Sequence, residues 1–111
     1  MSNSSVFADA KSIAVGGTAQ QLLQSLNGGI WGLNSQSINA VVIKARKANT
    51  GFLYIGNATT GGGTNGSGLS AATGFELAAG DSVAIEVAGA GKIWVLGTVT
   101  GDKYDVLSLG A

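Results

Sequence analysis

Apolar side chains recur in this chain with a period of two and are cut into short runs by glycine, a pattern that suits half-buried strands. In Asp81-Ser-Val-Ala-Ile-Glu-Val-Ala88, Val83, Ile85 and Val87 fall on one face, and Ser82, Ala84 and Glu86 on the other. Lys92-Ile-Trp-Val-Leu-Gly-Thr-Val99 sets Ile93, Val95 and Val99 against Trp94 and Leu96. Both faces of that strand are apolar, so it is expected to be central or covered by a partner. Gly89-Ala-Gly91 between the two runs suits the positive φ of a hairpin turn.

Other runs follow the same rule. Residues 37–47 carry Val41, Ile43 and Ala45 against Val42, Lys44 and Arg46. Asn49-Thr-Gly51 reads as a tight turn before the apolar run 52–55, and Gly101-Asp-Lys103 as a turn into a closing strand, 104–109. Residues 12–15 and 19–23 are expected to pair around Gly16-Gly17, and Phe75 to Leu77 to form a short strand before a turn at residues 78–81. Leu22, Leu23 and Leu26 have helix-like spacing, but glycine pairs on both sides leave a short window, so a strand or single turn is preferred.

About eight short strands with turn residues between them predict an all-β fold, an antiparallel β-sandwich of jelly-roll type. Val83, Ile85, Val87, Ile93, Val95 and Ile55 are its expected core. Two segments stand outside that expectation. Residues 1–11 read as an N-terminal arm, with only Val6 and Phe7 as apolar anchors and no partner strand nearby in sequence, preceding a single domain at 12–111. Residues 57–74 form a long glycine-rich loop, and such loops are functional or mobile.

Composition decides which functions remain. The chain has six basic and six acidic residues, 11% charged in all, and lacks the basic face that nucleic-acid binding by counterion release requires. With no histidine and no cysteine, it carries no Ser-His-Asp triad, thiol nucleophile, ordinary zinc site or disulfide. The 19 glycines would suit disorder, but 29 of the 111 residues are Leu, Ile, Val or Phe, and no net charge opposes collapse. The start, Met1-Ser-Asn-Ser-Ser-Val-Phe-Ala-Asp9, has no basic segment or apolar run of the secretory kind, and no run approaches the roughly 20 residues that span a bilayer. Synthesis in a cytoplasm, with no membrane partner, is the expectation.

The motifs do not revive catalysis. Gly61-Gly-Gly-Thr-Asn-Gly66 matches G-x-G-x-x-G, but no helical pattern follows it and it reads as a flexible loop. Gly91-Lys92 is followed by Ile93 and has Glu86 where a P-loop needs glycine. The carboxylates Asp9, Glu76, Asp81, Glu86, Asp102 and Asp105 sit mostly beside turn residues and read as solvated, without a D-x-D-x-D-G calcium pattern. No enzyme activity and no cofactor are expected. Lys44, Arg46 and Lys47 form the one basic cluster, read as protecting an edge or solvating a face. Among the aromatics, Trp31, Tyr54 and Trp94 are the interface candidates, together with Val6 and Phe7. The two-faced strand 92–99 and the low charge predict self-association.

A resemblance adds to this reading. Ala48-Asn-Thr-Gly-Phe-Leu-Tyr-Ile-Gly-Asn57, then Gly74-Phe-Glu-Leu-Ala-Ala-Gly-Asp-Ser-Val83, Lys92-Ile-Trp-Val-Leu-Gly97 and Tyr104-Asp-Val-Leu107 follow one another as in small virion proteins of tailed bacteriophages. Ala79 stands where such sequences often have proline, and the loop 57–74 is longer and richer in glycine. The resemblance implies a structural virion protein, most often a capsid decoration (cement) protein. Such a protein would be a homotrimer that bridges major capsid subunits, with its arm and loop ordering on contact. A neck, tail or fibre component and a carbohydrate- or receptor-binding module are the alternatives, the last requiring Trp31, Trp94 or Tyr54 exposed on one face.

Overall fold

The computed structural model describes residues 6–22, 38–86 and 93–110. Eight strands run through them: β1 (Val6–Ser12), β2 (Gln20–Gln21), β3 (Ile38–Ala45), β4 (Leu53–Asn57), β5 (Phe75–Leu77), β6 (Ser82–Glu86), β7 (Ile93–Gly97) and β8 (Lys103–Gly110). Among the described residues there is no α-helix, only one 3-10 turn at Thr60–Gly62. Two four-stranded antiparallel sheets result, in the orders β1-β8-β3-β6 and β2-β7-β4-β5. The pairs β1·β8, β2·β7, β3·β6 and β4·β5 nest one inside the next, so the chain is a ribbon doubled back between β4 and β5 and then rolled up. The β3·β8 and β4·β7 ladders complete each sheet. That is the jelly-roll order, and the all-β sandwich expected from the alternation is the fold that forms.

The period-two pattern becomes the core. Val41, Ile43 and Ala45 of β3 are fully buried, while Lys44 between them is exposed. They meet Tyr104 and Val106 of β8 and, from the other sheet, Leu53, Ile55, Leu77, Ile93 and Val95. Val83 and Ile85 pack against this core but stay half-buried, because among the described residues β6 is the edge of its sheet. Val87, expected beside them, lies outside the described residues. The buried Tyr104 hydroxyl donates to the Leu22 carbonyl at 2.8 Å and accepts from Gln20 Nε2 at 3.3 Å, so its polar end is satisfied inside the sandwich.

Three local expectations are corrected. From Val6 onward the segment read as an arm is β1, paired along its whole length with β8, from Val6 opposite Leu109 to Ser12 opposite Lys103. Its partner strand is at the other end of the chain, so the search for one nearby in sequence missed it. The segments around Gly16-Gly17 do not pair with each other either. Ser12 ends a strand of one sheet, whereas Gln20 and Gln21 pair with Val95 and Trp94 in the other. Finally, the two best alternating runs are not a hairpin: β6 pairs with β3 and β7 with β2 and β4, in opposite sheets. The Gly89-Ala-Gly91 turn lies outside the described residues.

Asp102, read as a solvated turn acid, is buried and structural. Its carboxylate accepts from the backbone N–H groups of Gly51 at 2.8 Å and Thr50 at 3.1 Å. Asn49 braces the same corner through both amide atoms: Nδ2 donates to the Lys103 carbonyl and Oδ1 accepts from the Lys103 N–H, each at 2.8 Å. Two turns far apart in sequence are thereby locked together at one end of the sandwich.

Replacing Asp102 with Ala leaves two N–H donors without their acceptor and is expected to cost about 1–3 kcal/mol in denaturant unfolding. Deleting residues 1–12 strips β1 from β8 and is expected to abolish the cooperative thermal transition followed by circular dichroism. An unchanged melting temperature would show that β8 is held without β1.

Candidate functional site

A jelly roll has two outer sheet faces, and this chain treats them differently. On the second sheet, Tyr54 and Leu96 are buried and Trp94 half-buried, although strand alternation turns all three away from the core. The glycine-rich loop covers them. Leu69 packs against Tyr54 and Leu96 in a small second cluster, joined by Ala19 and Trp94. The loop holds its shape through local hydrogen bonds. Asn57 Oδ1 accepts from the Thr59 N–H at 3.0 Å and the Thr60 hydroxyl at 3.1 Å, and the Gly66 N–H donates to the Ala58 carbonyl at 2.9 Å. At Gly66, with φ of 80°, a Cβ would stand 2.7 Å from the Trp94 ring. Glycine there permits close contact, which corrects the expectation of a loop outside the packed structure.

Tyr54, an interface candidate, is therefore under the loop, and its hydroxyl donates to Glu76 Oε1 at 3.3 Å. Burial, and then the negative charge and hydrogen bond of Glu76, push its phenol above the usual tyrosine range. Trp94 keeps only part of its surface. Trp31 lies outside the described residues, and Val6 and Phe7 take the first two register positions of β1, opposite Leu109 and Ser108. Among the described candidates, Tyr54 and Trp94 belong to the loop-covered face of the second sheet, while strand β1, which carries Val6 and Phe7, belongs to the first sheet. The structure also removes one reason for expecting self-association, since β7 is covered by its own chain.

The outer face of the first sheet has no such cover among the described residues. Its central row crosses all four strands: Ala8, Leu107, Val42 and Ala84 stand opposite one another in register. Leu107 is 41% exposed, Val42 half-buried and Ala84 exposed. The adjoining row is Ala10, Asp105, Lys44 and Ser82. Arg46 joins it with a 2.6 Å ion pair to Asp105, whose hydrogen bond and charge raise the guanidinium pKa. Lys44 lies on the internal strand β3 and Arg46 directly after it, so they do not guard an edge; they border an apolar stripe. Composition could not show that stripe, because its residues come from four strands.

The acids are dispersed: Asp105 on Arg46, Glu76 on Tyr54, Asp102 in the turn lock, and Asp81 accepting from the Ala78 N–H at 3.0 Å. Among the described residues no three acidic side chains gather where they could hold a metal. A cleft of about 240 Å³ opens between β1 and β2, lined by Lys11, Ser12, Gln20, Gln21, Leu22 and Tyr104. Gln20 bridges it, donating to the Ser12 carbonyl at 3.1 Å and to Tyr104.

Gly66→Ala forces a methyl group toward Trp94 from a backbone conformation that favours glycine. A loss of about 1–3 kcal/mol is expected in chemical denaturation; a neutral result would mean that the loop does not press on the sheet.

No family model and no curated protein matches this chain. Among solved structures it is similar to a chain of Bacillus endospore appendages, described as disulfide-linked pili, with a TM-score of 0.53 and 18% identity over 98% of this chain and 87% of that one. It is also similar to a chain of the Nora virus structure, with a TM-score of 0.50 and 13% identity over 97% of this chain. This chain spans about half, 55%, of the length of that Nora virus chain. At these identities the likeness is one of fold: the eight-stranded antiparallel sandwich.

Proposed function

We propose that this chain is a structural subunit of a tailed-bacteriophage virion, a capsid decoration protein that bridges and stabilises adjacent major capsid subunits. One observation carries this reading: one outer face of the jelly roll is closed by the chain's own loop, while the other, among the described residues, is an uncovered apolar stripe bordered by charge. Such a face suits burial against a neighbouring subunit, with Lys44, Arg46 and Asp105 at the rim setting register. The similarity to chains of a pilus and of a virus is consistent with a general structural role, and the sequence resemblance favours the phage particle. Without cysteine, the chain joins its neighbours by non-covalent burial, in contrast to appendages described as disulfide-linked.

The mechanism is mechanical. A subunit seated across two capsid neighbours makes the opening of either one cost contacts to both. A neck, tail or fibre position is the second reading, and stoichiometry separates the two: a copy number comparable to that of the major capsid protein favours decoration. The carbohydrate-binding alternative loses support because Tyr54 is buried and Trp94 half-covered.

Leu107→Asp places a charge at the centre of the stripe on an outward-facing position. It is expected to change the stability of the isolated protein by less than about 1 kcal/mol and to lower occupancy on purified particles at least tenfold. Full occupancy by this variant would show that the first sheet's outer face is not the attachment surface.

A further inference from the structure

The sheet edges are not equivalent. On β1, Lys11 takes the register position opposite the inward-facing Tyr104. Charges at such positions of an edge strand discourage a further strand from pairing. On the other edge of the same sheet, β6 has no lysine, no proline and no bulge, and its positions facing the core are Val83 and Ile85. Both stay half-buried because nothing among the described residues pairs along that side. Across the gap between the sheets, Phe75 on the three-residue β5 stands opposite the buried Ile55 and is 59% exposed. Among the described residues, an apolar opening and a backbone edge with no strand beside it therefore coincide at β6.

We propose that β6 pairs with β6 of a second copy of this chain, antiparallel about a two-fold axis through Ala84, joining two four-stranded sheets into one. The strand is self-complementary in that register. Val83 faces the partner's Ile85, continuing the inner layer, and Ala84 faces the partner's Ala84. Ser82 stands beside the partner's Glu86, so the two glutamates lie at opposite ends of the junction. Charge favours the same register. Lys44 pairs in register with Ser82 and is exposed. It thus stands two strand spacings, about 9.6 Å, from the partner's Glu86, with only the small Ser82 between. The symmetry repeats that attraction on the other side of the axis. An isologous contact of this kind closes on itself and yields a dimer, not a fibre. It meets the outer stripe of each copy only at Ala84 and leaves Leu107 and Val42 clear of the junction, so it goes beyond the proposed attachment to a capsid and does not depend on it.

The chain has no cysteine, so a single introduced thiol reports on this edge alone. Ala84 and Ser82 are both exposed, which makes Ala84→Cys and Ser82→Cys compatible with the fold. Across the axis the Cα atoms at 84 lie about 4.5–5.5 Å apart, within disulfide range. Those at 82 are offset by four residues, roughly 14 Å along the strand. Under mild oxidation of the full chain, Ala84→Cys is expected to cross-link as a dimer at least tenfold faster than Ser82→Cys. Sedimentation of the unmodified protein is expected to show a concentration-dependent dimer. Val83→Lys, which copies the device on β1, is expected to weaken that dimer at least tenfold while its circular dichroism stays β-type. Equal cross-linking at the two positions, a monomer throughout the micromolar range, or a trimer whose β6 amides exchange as an open edge would each overturn the proposal. None of these outcomes bears on particle attachment, which Leu107→Asp tests separately.

Discussion

The ladder that holds β8 between β1 and β3 is the contact on which the rest of the sandwich depends. It joins residues from opposite ends of the chain, beginning with Val6 opposite Leu109. Loop-closure entropy grows only slowly with chain length, so so long a closure costs little more than a short one. The gain is a sheet in which β8, and with it the buried Tyr104 and Val106, has hydrogen-bonded neighbours on both sides. Every nested pair inside that outermost one inherits its position from it. Folding dominated by such distant pairs is expected to be slow compared with that of helical domains of the same size.

Glycine does a different task here from the one its abundance suggests. The loop between β4 and β5 is the tip of the rolled ribbon, and it lies flat on a sheet face lined by Tyr54, Trp94 and Leu96. Flat contact needs positions without side chains: at Gly74 a Cβ would come within 2.7 Å of Tyr54 Cβ, and at Gly66 within the same distance of Trp94. The apolar surface of β7 is thus consumed within the molecule. What the described residues leave open for partners includes the opposite face and the β6 edge, both built from small and medium apolar residues with charges kept to the margins.

Polar groups in this chain fix geometry. Asp102 and Asn49 bind backbone groups of turns distant in sequence, and Tyr104 with Gln20 ties the core to the entrance of β2. These contacts stabilise by satisfying donors and acceptors that burial would otherwise leave unpaired. A subunit whose corners are locked in this way can present a rigid face to a neighbour, and rigidity lowers the ordering cost of assembly.

The amino-acid sequence by itself determined where strands form, because a period of two with glycine between runs leaves the backbone little choice. Residues 41–45, the strand after Gly101-Asp-Lys103, and the absence of any long helical pattern were legible on that basis. So was the demand of β7 for cover on both faces. Tertiary structure alone decided which strands pair, since a strand's hydrogen-bonding edges are alike whatever lies beside them. Local alternation could not show that the runs around β6 and β7 enter different sheets, or that β1 is no arm. It also decided which aromatic residues stay open to solvent: Tyr54 is buried because a loop fifteen residues downstream folds back over it. The apolar stripe of the first sheet is likewise invisible along the chain. Leu107, Val42 and Ala84 become neighbours only when register aligns them, and register is set by the packing of the whole core.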